Sequence, residues 1–364
     1  MRIALLLPFS PSDPANSGAA RLEMFDGFSK DSLDRYHFGP ATGNDISIGQ
    51  YAPEGSPRNL SSLVKLWQAF GRRHRQQPYQ AIWTTMPPIM MALFARLLAA
   101  RYRLPLIVDV RDPGIASVVM VRPQGSPMYR VAFMLERWLY RGAAAICVTT
   151  PELAAMLTRR FGVKPERLTV ISNATAVKER PAKKLDPNEV RVFYAGTFAP
   201  YQAIDQLVDN LSATPPGPQF HFDFYGYRKE QNPGLENRVT GNVALHPRLP
   251  RQELFEKLKA SDIVLVPIEL KGQKELYEYA VPLKLYEAIG FSRPVVLFGG
   301  TAASKRLVQE TGAGEVCPVE QPLAPVLGKI VNDYAAYRRA AEQAVFSRQE
   351  EGAKLRALME SLTK

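Results

Sequence analysis

Short apolar runs recur along the chain, and helical patterns fill the intervals between them. The runs are 3–7 (IALLL), 81–85 (AIWTT), 105–110 (PLIVDV), 144–149 (AAICVT) and 168–172 (LTVIS) in the first half. In the second half they are 190–196 (VRVFYAG), 219–226 (QFHFDFYG), 242–246 (NVALH), 262–267 (DIVLVP) and 294–298 (PVVLF). Several are apolar at nearly every position, as expected of parallel strands buried on both faces. Helical periodicity covers 88–100, 129–140, 151–161, 203–211, 251–260 and 283–289, and one or two further helices fill 334–362. Strand and helix alternating this often predict an α/β fold with parallel sheets. The stretch 176–188 (AVKERPAKKLDPN) is charged, holds two prolines and has no periodicity, so it reads as a linker between two Rossmann-like domains. In such sheets ligands bind beyond the carboxyl ends of the strands, so functional residues are sought there.

Composition narrows the class. Of 364 residues, 46% are hydrophobic and 22% charged, which suits large buried cores and excludes disorder, collagen and coiled coil. Cys147 and Cys317 lie in apolar surroundings without a CxxC, and the four histidines are scattered, so neither a disulfide framework nor a metal site is expected. The N-terminal apolar run reads as a strand rather than a signal peptide. The most apolar stretch, 88–110, is broken by Arg96, Arg101 and Arg103 and cannot span a bilayer. A soluble cytoplasmic protein that rests on a surface is the expectation. Formal net charge is +11, and it is not shared evenly. Residues 1–180 hold 23 Lys and Arg against 13 Asp and Glu, and the remainder 23 against 22. A local positive excess implies an acidic partner.

Among possible sites, 281–300 (VPLKLYEAIGFSRPVVLFGG) carries the most chemistry. Pro282 suits the first turn of a helix, whose unpaired N–H groups at Leu283 and Lys284 make an anion site. Lys284 adds a full charge, and Glu287 follows on the same helical face, where a carboxylate can accept hydrogen bonds from a ribose diol. An ordinary helix with a surface Lys–Glu pair is the alternative. Gly196 and Thr197 close a strand and open a loop that can meet phosphate. Asn16, Ser17 and Gly18 precede an amphipathic helix, with Arg21 one turn in; a helix cap accounts for them equally. Asp109, Arg111 and Asp112 follow an apolar strand, where Asp112 can orient or deprotonate a hydroxyl and Arg111 can pair with it or with phosphate. A structural Arg–Asp pair is the alternative. No GxSxG elbow, GxxxxGK[ST] loop, strand-borne GxGxxG or DxD follows any of the runs.

The pattern P-x-K-x-x-E-A-x-x-x-x-x-P-V-V at 282–296 resembles the nucleotide-sugar motif of GT-B glycosyltransferases, family 4 in particular. Other segments are similar to that family in its order: 193–209, 222–227 and 242–267 to its donor domain, and 104–114, 135–157 and 168–177 to its acceptor domain. The resemblance implies a GT-B fold with two Rossmann-like domains facing across a cleft. An acceptor domain would span 1–176 and a donor domain 177–340, with 341–364 a C-terminal helix packing back towards the N-terminal domain. It implies transfer of a hexose-type sugar from a nucleoside diphosphate to a hydroxyl of a glycan or polyprenyl-diphosphate-linked acceptor, with retention and without metal or cofactor. Donor contacts would come from Gly196, Thr197, Gly226, Tyr227, Arg228, Arg248, Leu249, Pro282, Leu283, Lys284 and Glu287. Asn16, Ser17, Gly18, Arg21 and Arg111 would face the acceptor, with Asp112 and Glu278 catalytic.

Two departures matter. The family's first glutamate would fall at Tyr279, so the role passes to the adjacent Glu278 or to Tyr279 with backbone amides. The usual Arg and Lys after the donor glycine are replaced by Thr197 and by Tyr201 or Gln202. An inverting route with Asp112 as base, a sugar-nucleotide epimerase and a non-catalytic nucleotide-sugar-binding subunit therefore stay in play. Arginines mixed with apolar residues between 67 and 141 suit an anionic membrane interface, a solvated basic surface being the alternative. No recognised nucleic-acid motif is present.

Overall fold

The computed structural model describes residues 1–10, 21–29, 32–39, 45–49, 60–119, 125–175, 183–198, 202–239, 241–269, 277–344 and 346–363. These form two compact units, Met1–Ser172 with Arg348–Lys364, and Asn173–Ser347. The first holds a parallel seven-stranded sheet: β1 (Ile3–Leu7), β2 (Leu33–His37), β3 (Ile46–Ser47), β4 (Ala81–Met86), β5 (Leu106–Val110), β6 (Ala145–Val148) and β7 (Leu168–Val170). Its order is β3-β2-β1-β4-β5-β6-β7, so the winding reverses between β1 and β4. The second unit holds a parallel six-stranded sheet: β8 (Val190–Ala195), β9 (Phe220–Tyr225), β10 (Val243–His246), β11 (Ile263–Ile268), β12 (Val295–Gly299) and β13 (Gly314–Cys317). There the order is β10-β9-β8-β11-β12-β13, with the reversal between β8 and β11. Both are doubly wound Rossmann-like sheets, as the alternation of runs predicts.

Helices of the first unit are α1 (Leu60–Gln76), α2 (Ile89–Tyr102), α3 (Gly114–Val119), α4 (Pro127–Gly142) and α5 (Pro151–Phe161). Those of the second are α6 (Ile204–Ala213), α7 (Arg251–Ala260), α8 (Leu283–Gly290), α9 (Ala302–Thr311), α10 (Leu323–Asn332) and α11 (Tyr334–Gln343). Local chemistry sets several of their ends. The Thr150 side chain accepts a hydrogen bond from the Leu153 amide, Pro151 opens α5, and Gly162 takes a left-handed φ of 67° just past its end. Ser126 caps α4 in the same way, with Pro127 following. The last helix, α12 (Arg348–Leu362), belongs to the first unit. Leu355 and Met359 are buried among Phe25, Trp83 and Ile171, and the Glu351 carboxylate accepts from the Ser172 amide at 2.7 Å. Gly352 sits where a Cβ would lie 2.6 Å from the Met24 carbonyl oxygen. The chain enters and leaves the second unit side by side, Thr175 bridging Ser347.

Strands β2, β3 and β13 have no clear signal in the apolar pattern. In β2 the sequence LDRYH carries two charges, yet Asp34 is satisfied by the Arg2 guanidinium and the Tyr79 hydroxyl. The neighbouring β3 has only two residues, so β2 lies close to the sheet edge, where half-burial tolerates polar side chains. Residues 183–188 of the expected linker are described, and Lys183 reaches back to Asp262 at 2.9 Å, so that end is fixed to the second unit.

A buried ion pair ties the first unit together. Arg21 donates from Nε to Asp109 at 2.8 Å and 2.9 Å and from a terminal nitrogen at 2.6 Å, and both side chains are less than 5% exposed. Thr85 donates to the same carboxylate at 3.2 Å, and Arg21 also donates to the Ser172 carbonyl. The pair joins β4, β5 and the chain after β7 to the segment following β1. Removing one member strands the other charge in the core, so Asp109→Ala lowers unfolding free energy by about 3–5 kcal/mol. Urea titration of the variant against wild type measures the loss.

Candidate functional site

In the second unit the carboxyl ends of β8, β9 and β10 lie side by side, near the start of α8. The Gly196 amide donates to the Tyr225 carbonyl, and the Gly226 and Tyr227 amides both donate to the His246 carbonyl, which aligns the three loops. Gly226 has φ +105°, and a Cβ there would lie 1.9 Å from the Gly196 carbonyl oxygen. A Cβ on Gly196 would lie 2.1 Å from the Tyr194 hydroxyl and 3.1 Å from the Lys284 ammonium. Gly196 thus leaves room for the Lys284 ammonium, and Gly226 lets the two loops approach at their backbones.

Pro282 stands at the N-cap of α8 in an extended conformation, and its carbonyl accepts from Leu285. No side chain caps this end, so the first amides of the helix face outward as an anion site. Lys284 is half-buried, its ammonium hydrogen-bonded to the Gln202 amide oxygen and 4.8 Å from the centre of the Tyr194 ring. Both partners are neutral. Burial drives the ammonium down to about 7, with the Glu287 charge acting against it. Glu287 turns elsewhere, accepting from Arg251 on α7 at 2.7 Å. Burial raises the Glu287 carboxyl, and the positive charges of Arg251 and Lys284 oppose that rise. Where the winding reverses, Gln206 donates to Glu269, just past β11, at 2.6 Å.

The structure therefore brings Gly196, Gly226, Leu283, Lys284 and Glu287 to one end of the sheet. Thr197 is exposed just past Gly196. Tyr227 is half-buried with its hydroxyl on Glu236, and Arg228 and Arg248 are exposed. Leu249 packs against the core beside α8. Arg251, three residues beyond Arg248, is the arginine that meets the α8 carboxylate; the sequence reading missed it, although its place in the first turn of a recognised helix was a usable signal. Gln202 was noted only as standing near the place of the family's lysine, and Tyr194 and Glu269 were missed, since a strand tyrosine and a loop acid carry no pattern of their own.

Glu278 has a cap's contacts: its carboxylate accepts from the Ala302 amide at 2.6 Å and its carbonyl from the Ala303 amide, at the start of α9. Tyr279, the alternative, is 2% exposed.

In the first unit, Arg21 is not an open acceptor-facing residue. Its guanidinium is spent on buried Asp109, because a carboxylate at the end of β5 needs a counter-charge more than the surface does. Arg111 and Asp112 follow β5, with the Arg111 guanidinium 5.9 Å from the Phe9 ring and its amide on the Met86 carbonyl. Asn16, Ser17 and Gly18 lie outside the described residues. Among the described residues, no group of three or more His, Cys, Asp or Glu is placed to hold a metal ion. No helix among them is long and apolar enough to cross a membrane.

Residues 30–174 match the model of the Glycosyl transferase 4-like domain, and residues 189–333 that of Glycosyl transferases group 1. No curated protein matches the chain in sequence. Among solved structures, sucrose-phosphate synthase from Thermosynechococcus elongatus is 17% identical with a TM-score of 0.70, covering 100% of this chain and 99% of that one. HepE from Anabaena in complex with UDP-glucose is 16% identical with a TM-score of 0.71, covering 99% and 100%. WaaG, a glycosyltransferase involved in lipopolysaccharide biosynthesis, is 14% identical with a TM-score of 0.60, covering 100% and 98%. At these identities the likeness establishes the fold.

The glycine pair offers a direct check. Gly226→Ala is strained by φ and by the Gly196 carbonyl together, and is expected to cost about 1–3 kcal/mol in urea unfolding.

Proposed function

Since the chain belongs to the GT-B glycosyltransferases, its halves matching the family 4-like and group 1 domains, we propose that its second unit binds a nucleoside-diphosphate hexose for transfer to a hydroxyl. The acceptor is a lipid-linked or polysaccharide intermediate at the cytoplasmic face of a membrane. The observation that carries this reading is the Lys284 ammonium at the start of α8, beside Gly196 and touching only neutral groups among its stated contacts. A diphosphate placed there meets the outward helix amides and one cation, which stabilises the charge that develops as the glycosyl bond breaks. In this reading Glu287 takes the ribose diol, which requires Arg251 to leave its carboxylate. That UDP-glucose is bound by HepE, a protein of the same fold, is consistent with a nucleotide-sugar donor.

The reaction breaks the bond between the anomeric carbon and the diphosphate oxygen and forms one to the acceptor oxygen. The acceptor proton leaves to the departing diphosphate in the retaining route, or to Asp112 in an inverting one. The Glu278 contacts with the first amides of α9 argue for a part in holding the start of that helix rather than in proton transfer.

A thermal-shift panel of nucleoside diphosphates and nucleotide sugars tests the assignment. The expected result is stabilisation by at least one diphosphate, weakened about tenfold or more in affinity by Glu287→Ala; unchanged affinity in that variant would sink the donor site. Product analysis with and without acceptor then separates transfer from epimerisation and from binding alone.

The charge state of Lys284 makes a second prediction. In the unfolded chain the ammonium persists to the ordinary lysine range, whereas in the folded unit it is lost near 7. A bound diphosphate favours the protonated form, so binding takes up a proton above about 7, where the free folded site has lost it. Affinity is therefore expected to fall as pH rises above about 7, by up to about tenfold per pH unit. Lys284→Met should flatten that profile, as calorimetry across pH 6–9 in about unit steps would show.

A further inference from the structure

Buried carboxyl groups among the described residues are those of Asp109, Glu136, Asp262 and Glu351. Asp109, Asp262 and Glu351 each meet a cation: Arg21, Lys183 and Lys354 in turn. Glu136, on the inner face of α4 and 0% exposed, takes a different set of partners. Its two oxygens accept from the Gly114 and Ile115 amides, each at 2.9 Å, and from the Tyr140 hydroxyl. A buried acid is ordinarily held by an opposite charge, whereas this one is held by the backbone of another helix.

Both amides belong to the start of α3, a helix of six residues. A helix that short does not hold itself in place, and its first amides find no partner within it. Pro113 stands before Gly114, and its side chain has no acceptor with which to cap them. Glu136 supplies the acceptor from α4 and brings negative charge to the helix end that favours it. The space beside Gly114 is bounded by Ile89 of α2 and by the same carboxylate. Upstream, the Arg111 amide donates to the Met86 carbonyl at 3.1 Å, where β4 ends. The loop 111–113 is therefore tied at one end to β4 and at the other to α4, with Arg111 and Asp112 between the ties.

We propose that Glu136 is a positioning residue: it holds the Arg111–Asp112 loop through the first two amides of α3, and the hold weakens when its carboxylate takes up a proton. An ionised carboxylate only accepts, and its bonds to the amides are charge-assisted, about twice as strong as those of a neutral acid. A proton removes that advantage and sets a further donor among the donors already there. Burial pushes the carboxyl up to about 7, while the Tyr140 hydroxyl, the two amides and Arg160 of α5 hold it down. Arg160 itself donates to the Tyr129 hydroxyl. On α2 the neighbour is Ile89, and Arg96 lies over the Trp138 ring; along the loop the nearest charges are Arg111 and Asp112. A held loop keeps Asp112 at the end of β5 for an arriving acceptor hydroxyl. That consequence rests on the transferase reading above; the hold does not.

Amide hydrogen exchange of the full chain, corrected for the intrinsic rate, tests the hold. Protection of Gly114 and Ile115 should rise about tenfold from about pH 6 to about pH 8, following the ionised fraction of the carboxyl. Glu136→Gln keeps the shape without the charge, so protection there should stay at the low-pH level throughout. Global stability moves the other way. The folded carboxyl titrates near 7 and the unfolded one near 4.5, so between those values the folded chain keeps a proton that the unfolded chain has lost. Wild-type stability relative to Glu136→Gln should therefore fall as pH rises from about 5 to about 7. An acid that only supports the fold would make both quantities move together, so protection that falls or stays level with pH overturns the proposal. Equal protection of Glu136→Gln and wild type at about pH 8 does the same. Should that variant not fold, Tyr140→Phe removes a donor that holds the carboxyl down and should move the protection midpoint to higher pH; an unmoved midpoint overturns the proposal. In a transfer assay Glu136→Gln should lower kcat about tenfold at about pH 8 with nucleotide affinity unchanged. An unchanged kcat would remove the link to Asp112 and leave the hold intact. Exchange needs no nucleotide, so an incorrect transferase reading would leave it readable.

Discussion

A parallel strand cannot turn back on itself; it needs a crossover, usually a helix, before its neighbour can begin. Thirteen strands laid down this way point all their carboxyl ends in one direction within each sheet. Where the winding reverses, two successive loops leave in opposite senses and open a crevice. In the second unit that reversal lies between β8 and β11, and Gly196 follows the first of these strands while Glu269 follows the second. Location thus comes from connectivity, and the side chains add only the final chemistry.

Positive charge is used in two ways. In the second unit, which is nearly neutral overall, the Lys284 ammonium is desolvated and left on neutral partners, so that its charge is costly to hold. In the other unit the arginines are numerous, exposed and unspecific in geometry. Arg2 and Arg21 are among the exceptions, both buried and paired with Asp34 and Asp109, Arg21 donating to the Ser172 carbonyl as well. A count of basic residues therefore does not by itself point to a site, since burial and partners differ from one cation to the next.

Periodicity made the architecture legible because strands buried on both faces must be apolar throughout, and α5 and α7 end where their caps and apolar positions end. Strands β3 and β13 escaped because edges tolerate polar residues, and β2, next to β3, because Arg2 and Tyr79 satisfy its Asp34. Lys284 and Glu287 were visible as a spaced motif after a proline. Their contacts with Gln202, Tyr194 and Arg251 were not, because those contacts arise only when segments following different strands meet. Arg21 was misread for the same reason: the carboxylate that claims it lies 88 positions away. Glu136 carried no motif at all, being an acid whose role is set by the backbone amides of another helix.

The first unit is discontinuous, since the helix that closes it is made of residues 348–362. During synthesis, Leu355 and Met359 emerge only after the whole of the second unit has left the ribosome. The second unit, an uninterrupted run of chain, can close while the sheet begun by β1 still lacks part of its cover. Domains ordinarily fold in the order in which they are made. Here the sheet started first is completed last, and until then Phe25 and Trp83 lack the apolar cover that α12 provides, which makes the nascent chain depend on whatever shields that surface.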